Sequence, residues 1–320
     1  GLLLHPGAAL AGEVVVVGID VPSALLGGPG DPEVWEDADY AALVSLPEPD
    51  THKNRRGRVL VVAGSGAFPG AAALAAMGAQ RAGAGYVTLA APDSAARVAN
   101  ALLPSVVVSP LPENPSRTLA SKAAEAVLSL AAEHDAVVVG PGLTLAHGSV
   151  LVARTVVARA EAPLVLDADA LNALVDAIGL LGAREGTAVL TPHPGELARL
   201  LGVQTADVQR DRLSYGMRLA EGAITCLLKG ARTVIAGDGR RVVDTAGTPA
   251  LAHAGTGDVL AGAVGTLLAQ GLPGLEAGAL AAHLHGWAGR LAAEEGSELA
   301  VTAEDVAAFL PGALRRLVGR

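Results

Sequence analysis

The sequence is poor in aromatic residues and in cysteine. Aromatic residues make up 2% of its 320 residues, so a core must be built from Ala, Val and Leu, with 40 glycines where the backbone turns or packs closely. The single cysteine, Cys226, excludes an internal disulfide, and its place in an apolar run predicts a buried strand residue. The sequence also lacks the Cys/His spacing of a zinc site and the Gly-x-Ser-x-Gly motif of many hydrolases. These absences argue against zinc chemistry and against a hydrolase triad.

Positive charge and long apolar runs are also scarce. The formal net charge is -9 at pH 7, which disfavours a general nucleic-acid binder because such proteins need a basic face to neutralise phosphates. No uninterrupted apolar stretch reaches membrane-spanning length, and the opening lacks the positively charged region of a signal peptide. We therefore predict a cytoplasmic protein with no nucleic-acid or membrane partner, in which an anionic ligand must be held locally.

From residue 58 onward, short β-branched runs alternate with longer Ala-rich segments that carry polar residues at helical spacing. This alternation is typical of βαβ units around a parallel sheet and predicts a three-layer α/β sandwich. The predicted strands cover 59–63, 86–90, 136–139, 164–167, 188–191, 224–229, 233–236 and 241–243, the last two joined by a hairpin turn. The predicted helices cover 71–81, 121–132, 149–159, 196–201, 208–221, 258–270 and 274–294.

The first 50 residues have a different character from the rest of the chain. They are punctuated by Gly and Pro, with one predicted strand at 14–17 and an acidic run over 31–39. The composition changes near Pro47-Glu48-Pro49-Asp50, which predicts a boundary between residues 1–50 and a larger domain over 51–320.

The segment Ala254-Gly255-Thr256-Gly257-Asp258 precedes an apolar run and has the composition of an anion-binding helix start. Glycines let a phosphate approach the backbone N–H groups, and Asp258 would handle a proton of the reacting partner, since phosphate repels it. The alternative is a tight turn in which Asp258 caps the helix. This segment alone favours neither interpretation.

Polar or Gly-rich residues follow several predicted strands, which is where open parallel sheets bind ligands. His193, between two prolines, either faces a ligand or is a turn histidine without a task. Asp167 and Asp169 could hold Mg²⁺ through water or cap the following helix, and the cap is the favoured interpretation for Asp169. Lys229 either contacts phosphate or is an ordinary strand-end charge. The basic cluster 52–56 could attract an anion, although a solvated linker is the favoured interpretation.

Seven segments, taken in order, closely resemble the ADP-dependent NAD(P)H-hydrate dehydratase family: HKNRRGRVLVVAGS, PGAAALAA, VVVGPGL, LDADALNAL, LTPHPGELARLLG, LLKGARTVIA and AHAGTGDVLAG. AGTGD is shared with ribokinase-like vitamin kinases, but TPHPGE, KGART and LDADALN in this order are typical of the dehydratase. The resemblance covers about residues 50–318 and implies a ribokinase-like three-layer α/β/α sandwich with a mostly parallel sheet. The opening GLLLHPGAALAGEVVVVGIDVP resembles the end of an NAD(P)H-hydrate epimerase domain, so residues 1–50 are expected to be its tail and a linker.

The resemblance implies a lyase that repairs hydrated NADH or NADPH, using ADP as co-substrate together with Mg²⁺ and releasing AMP and phosphate. Asp258 would be the base, and no residue is assigned as a metal ligand. The implied ADP-binding residues are Lys229, Gly230, Ala231, Arg232, Thr233, Gly255, Thr256 and Gly257. The implied contacts of the hydrated dinucleotide are Ala72, Gly142, His193, Pro194, Gly195, Glu196 and Asp258.

A kinase that phosphorylates a small alcohol or vitamin precursor from ATP is the alternative function, because it would share the anion-binding helix start and Asp258. A nucleotide-binding protein without turnover is a third possibility. The resemblance also implies a homotetramer.

Overall fold

The structure is a computed structural model, and we describe residues 1–4, 7–12, 14–15, 17–22, 25, 27–28 and 30–319. One nine-stranded sheet runs through the described residues. Its strands, in chain order, are β1 (Arg58–Val62), β2 (Tyr86–Pro92), β3 (Val107–Leu111), β4 (Ala136–Val139), β5 (Leu164–Leu166), β6 (Ala188–Leu190), β7 (Ile224–Leu228), β8 (Val234–Gly237) and β9 (Arg240–Val243).

Helices surround this sheet. In chain order they are α1 (Ala8–Ala11), α2 (Asp37–Ala42), α3 (Pro69–Arg81), α4 (Asp93–Leu102), α5 (Ala123–Ala131), α6 (His147–Arg159), α7 (Asp169–Ala173), α8 (Gly179–Gly182), α9 (Pro194–Leu201), α10 (Thr205–Arg210), α11 (Arg212–Met217), α12 (Thr256–Ala269), α13 (Gly274–Glu295) and α14 (Ala303–Val318), with 3-10 helices at Lys53–Arg56 and Pro249–Leu251. None of the helices that we describe is both long and apolar enough to cross a membrane.

The strand order is β3-β2-β1-β4-β5-β6-β7-β8-β9. All pairs from β3 to β7 are parallel, and β8 and β9 add an antiparallel hairpin at one edge. The central strands are buried on both faces, as helices on both sides of a parallel sheet require. The chain moves outward from β1 to β3 and then resumes at β4 on the other side of β1, so a topological switch point lies between β1 and β4.

Alternate residues of β1 point into two separate cores, which gives the sandwich its three layers. Val59 and Val61 belong to the core that includes α3, α4, α12, α13 and α14. Leu60 and Val62 belong to the core that includes α5, α6, α7, α9 and α10. The predicted three-layer sandwich with a mostly parallel sheet is confirmed.

Close backbone contact between α3 and α12 explains much of the Ala- and Gly-rich composition. A Cβ atom on Gly262 would lie 2.0 Å from the Ala75 carbonyl oxygen, and one on Gly78 would lie 2.2 Å from the Val259 carbonyl oxygen. The two helices run parallel, because Leu74 lies against Gly255 at the start of α12, whereas the Ala79 carbonyl, further along α3, accepts a hydrogen bond at 2.8 Å from Thr266 Oγ1, further along α12. Small residues therefore bring both helix N-termini to the same edge of the sheet.

Some elements differ from the sequence-based predictions. The sequence analysis did not predict β3, α4 or α14, and the single helix predicted over 208–221 is two helices, α10 and α11. Asp211 separates them with a non-helical backbone, φ -141° and ψ 69°, and caps α11 by accepting the Ser214 N–H at 3.1 Å. The competing local hydrogen bond of an Asp side chain ends the first helix.

The strand predicted at 14–17 is wrong for the three described residues, Val14, Val15 and Val17, which lie in no strand; Val16 is outside the described residues. These valines are exposed, Val15 to 70%. A β-branched run favours a strand only where it can pair and pack, and these residues have no neighbouring strand in the described chain.

Candidate active site

Two glycine-rich loops meet at the switch point between β1 and β4. The Gly64 N–H in the loop after β1 donates to the Pro141 carbonyl after β4 at 2.7 Å. Gly64 and Gly142 have φ values of +86° and +64°, which favour glycine. Ala72 is fully buried against Gly64, so its side chain is closed off from solvent, whereas the backbone of Gly142 faces Phe68 and Ala71. The predicted substrate residues Ala72 and Gly142 therefore lie together at this crevice.

A buried ion pair joins the ends of β5 and β7. Asp167 is 1% exposed, and its Oδ1 accepts from Lys229 Nζ at 2.8 Å and from Thr191 Oγ1 at 2.7 Å. Glu196 Oε2 lies 3.9 Å from the same ammonium group. Burial lowers the pKa of Lys229, but the charges of Asp167 and Glu196 outweigh it and leave that pKa above its ordinary value. Lys229 is thus a fixed cation between two carboxylates.

His193 has a structural task at the start of α9. Its Nδ1 accepts the N–H groups of Gly195 and Glu196 at 3.0 and 3.3 Å, and Glu196 Oε2 accepts the His193 N–H at 2.8 Å. This reciprocal capping box places the neutral ring's proton on Nε2. Burial lowers the pKa of His193, with the charges of Lys229 and Arg199 acting in the same direction. Pro194 and Gly195 form the first turn of α9, where Gly195 leaves room for the ring.

Asp258 lies in the first turn of α12 and is half-buried. Burial, together with the charge of Asp167, raises the pKa of Asp258 to about 7 against the opposing charge of Lys229. A carboxyl group with this pKa exchanges protons near neutral pH and so suits general acid–base catalysis.

The start of α12 offers free backbone donors. Gly255 adopts a left-handed conformation with φ of +92°, and a Cβ there would lie 2.6 Å from Leu74 Cδ1. Among the residues that we describe, no acceptor takes the N–H of Gly255 or Gly257. The Thr256 N–H already donates to the His253 carbonyl at 3.4 Å, and its hydroxyl donates to the carbonyls of Leu251 and His253. Gly255 and Gly257 are therefore the donors best placed to receive an anion.

The loop between β7 and β8 forms a second set of donors. The Lys229 N–H donates to the Pro192 carbonyl at 2.8 Å, whereas the N–H groups of Gly230, Ala231, Arg232 and Thr233 have no acceptor in the described chain. Gly230 and Arg232 have positive φ values of +145° and +60°. Successive N–H groups in such a turn make an anion-binding concavity.

The 230–233 loop and Gly257 line one cavity of about 730 Å³, and Gly255 lies just outside its wall, two residues before Gly257. Its wall includes all five residues of the predicted ADP segment 229–233, together with Thr256, Gly257 and His193. A Cβ on Gly257 would lie 3.5 Å from Lys229 Nζ, so the ammonium group joins the cavity to the start of α12. The structure therefore brings seven of the eight predicted nucleotide residues to one cavity, and the eighth, Gly255, is the chain neighbour of Thr256.

Among the cavity residues that the sequence did not indicate are three with polar side chains, Asp244, His285 and Arg290. His285 Nε2 bonds to the Thr256 carbonyl at 2.9 Å, and burial lowers the pKa of His285 to about 4, so the ring is neutral. Arg290 donates to the carbonyls of Ala246 and Thr245 and holds the cavity wall. A histidine pair within the apolar helix α13 was the available signal for His285.

The basic cluster 52–56 lies before β1, at the amino end of the strands and opposite the cavity, which agrees with a linker. The cap interpretation is wrong for Asp167, whose Oδ1 binds Lys229 and Thr191. Asp169 Oδ2 accepts the Thr144 N–H at 2.8 Å and ties two loops together instead of capping α7.

The carboxylates do not form a preassembled metal cage. In the described ranges, no group of three or more His, Cys, Asp or Glu side chains could hold a metal ion. Asp167 Oδ1 already accepts two hydrogen bonds, and the Lys229 ammonium group at 2.8 Å disfavours a second cation beside it. We assign no metal ligand and derive no step through a metal.

Comparisons of this sequence with known proteins all indicate the same family. A sequence profile of the NAD(P)H-hydrate dehydratase family matches residues 59–311. The bifunctional NAD(P)H-hydrate repair enzyme of Moorella thermoacetica is 41% identical over 320 residues, and that of Thermofilum pendens is 38% identical over 320 residues. Each match covers 99% of this chain and 60% of the relative, so the chain spans about 60% of the length of these relatives.

Solved structures agree with this comparison. The ADP/ATP-dependent NAD(P)H-hydrate dehydratase from Bacillus subtilis, co-crystallised with ATP and Mg²⁺, matches with a TM-score of 0.76 and 30% identity, covering 89% of this chain and 98% of that one. A ribokinase-like superfamily protein from Enterococcus faecalis matches with a TM-score of 0.76 and 23% identity, covering 92% and 99%. The second match concerns the fold alone, and the predicted ribokinase-like sandwich is confirmed.

Proposed function

The chain belongs to the NAD(P)H-hydrate dehydratase family, and on that premise we propose that it is a lyase that dehydrates hydrated NADH or NADPH at the expense of ADP. One observation carries this proposal: a carboxyl group with a pKa of about 7, Asp258, stands at a helix start beside a nucleotide-sized cavity. The products are NADH or NADPH, AMP and phosphate.

ADP occupies the cavity in this proposal. The free N–H groups of Gly230, Ala231, Arg232 and Thr233 bind its phosphates, and those of Gly255 and Gly257 face the phosphoryl group that is transferred. Lys229 balances the negative charge at the junction. Thr256 contributes chiefly by fixing the turn at residues 251–253. Mg²⁺ would bind to the phosphates of the nucleotide, as is usual for this ion, and would offset their negative charge.

The hydrated dinucleotide occupies the crevice at the switch point. Its nearest predicted contacts are Gly142 and, through the backbone, Ala72. His193 also lines the nucleotide cavity, and in this proposal its Nε2–H donates to the part of the dinucleotide that lies next to ADP. Pro194, Gly195 and Glu196 fix the direction of the ring, and Glu196 Oε1 lies 3.5 Å from Nε2. The reacting hydroxyl then lies near Asp258.

The chemistry requires a better leaving group than hydroxide. Ionised Asp258 takes the proton of the C6 hydroxyl while that oxygen attacks the β-phosphorus of ADP, and the bond to the bridging oxygen breaks to release AMP. The ring nitrogen lone pair then expels phosphate from C6, and loss of a proton from C5 restores the dihydropyridine. Each step balances without an oxidant or a reductant.

We propose that residues 1–50 are the tail of an epimerase-type domain with its linker, and that residues 51–320 are the dehydratase domain. A homotetramer, a cytoplasmic location and the absence of nucleic-acid or membrane partners are likewise expectations. Gel filtration with light scattering measures the subunit number.

Purified chain mixed with ADP, Mg²⁺ and hydrated NADH should restore the absorbance of reduced nicotinamide and release AMP and phosphate in equal amounts. Omitting ADP is the control. A stable phosphorylated alcohol made from ATP, with no recovery of absorbance, would identify the alternative kinase and overturn the proposal.

The rate should depend on pH through Asp258. Its ionised form is the base, so kcat/KM for the hydrated dinucleotide should rise with pH and level off above about 7. Asp167 raises this pKa, so Asp167→Asn should move the rise to lower pH. Both statements are tested by measuring kcat/KM against pH for the wild type and for Asp167→Asn, with the uncatalysed rate subtracted. A kcat/KM that does not rise with pH, or a rise at the same pH in both proteins, would contradict the role of Asp258.

A further inference from the structure

Phe68 stands at the switch-point crevice without being part of either core. It directly precedes α3, and 55% of its surface is exposed, whereas aromatic side chains usually contribute to the core. Its N–H donates to Ser65 Oγ at 3.2 Å, and a Cβ on Gly142 would lie 2.9 Å from Phe68 Cβ. The loop backbone therefore holds an exposed aromatic ring beside the proposed substrate position.

Arg117 reaches the same crevice from the loop between β3 and α5. A Cβ on Gly66 would lie within 3.2 Å of the Cβ, Cγ and Cδ atoms of Arg117, so the arginine stem covers this glycine. The Gly66 N–H donates to the Arg117 carbonyl at 2.7 Å, which joins the two loops. Asn114 Oδ1 accepts the N–H groups of Ser116 and Thr118, but within the described chain the Arg117 guanidinium has no partner.

The backbone at Arg117 is strained. Its φ is +57°, a left-handed conformation that glycine adopts far more readily than arginine. Six described non-glycine residues have positive φ, and four of them follow parallel strands at the carboxyl edge: Arg117, Thr144, Ala168 and Arg232. Strained residues that cluster at one edge of a sheet are a reason to look for function there.

Resting on the proposed function, we propose that Phe68 and Arg117 form a clamp for the dinucleotide substrate. Phe68 stacks on one of its planar rings, because every such ring offers a π face. Arg117 pairs with a phosphate group, for which a guanidinium without a protein partner is suited. The phosphate is either the pyrophosphate that both dinucleotides carry or the 2′-phosphate that NADPH alone carries.

Arg117→Gly separates binding from stability. It relieves the positive φ, so the variant should melt at or above the wild-type temperature, yet KM for the hydrated dinucleotide should rise about tenfold or more with little change in kcat. A rise for both substrates indicates the pyrophosphate, and a rise for hydrated NADPH alone indicates the 2′-phosphate. Asp238→Gly is the matched control, since Asp238 also has positive φ but lies in the β8–β9 turn at the opposite edge.

Phe68→Leu keeps an apolar side chain but removes the ring, and KM should rise at least about fivefold. Calorimetry with unhydrated NADH and NADPH should show the same losses without any turnover. If both variants keep wild-type KM and dissociation constants, the clamp is overturned while the dehydratase proposal stands. If wild-type chain restores no NADH, the proposed function fails, and the calorimetric arm still decides whether the clamp binds a dinucleotide.

Discussion

Asp258→Asn should lower kcat by about 10²- to 10⁴-fold, the usual contribution of a positioned general base. The amide keeps the shape of the side chain but cannot accept the hydroxyl proton. ADP binding should persist, because the free N–H groups of Gly255, Gly257 and the 230–233 loop are untouched. Stopped reactions analysed for AMP, together with calorimetric titration of ADP, measure the two effects separately.

The same substitution carries its own test of folding. Folding raises the pKa of this carboxyl group from 3.8 to about 7, so the folded chain holds the proton more tightly than the unfolded chain does. The free energy of unfolding of the wild type therefore falls as the pH rises through that interval. The asparagine variant should therefore be at least as stable as the wild type above pH 7. Asp93→Asn, also in the first turn of a helix, should leave the rate unchanged. If the Asp258→Asn variant kept more than about a tenth of the wild-type kcat, Asp258 would not be the general base.

The central parallel strands could be predicted from the sequence because strands buried on both faces are continuous apolar runs. The glycine-rich loops could be predicted because their composition is unusual. The edge strand β3 carries Pro110 and Ser109 and is only partly buried, so it lacks that continuous pattern. Helix α14 contains Pro311, which weakens a helical pattern that its capping box and tertiary packing stabilise.

The motifs of the site could be predicted, but their mutual contacts could not. Leu166 pairs with Leu190, so Asp167 and Thr191 leave their strands at the same level. Leu190 pairs with Cys226, and the Lys229 side chain then reaches Asp167. Sheet register depends on tertiary structure and cannot be predicted from the residues around Asp167. Those residues alone are compatible with a helix cap.

Lys229→Met should have the second large effect, because it removes the one cation that lies between Asp167 and Glu196 in the described site. Loss of such a fixed charge costs about 10²- to 10³-fold in kcat where it stabilises a transferring phosphoryl group. It also leaves Asp167 buried without its ion partner, so the free energy of unfolding should fall by about 3–5 kcal/mol. Denaturant unfolding and the coupled NADH assay measure these losses.

A double variant separates the structural and chemical parts of the Lys229 effect. Lys229→Met combined with Asp167→Asn removes both charges and should recover most of the lost stability, since Thr191 can still donate to the amide oxygen. Activity should stay low, because the phosphates still lack their cation. Lys53→Met, at the opposite edge of the sheet, is the matched control and should change neither quantity. Recovery of activity with stability would mean that Lys229 serves only to neutralise Asp167.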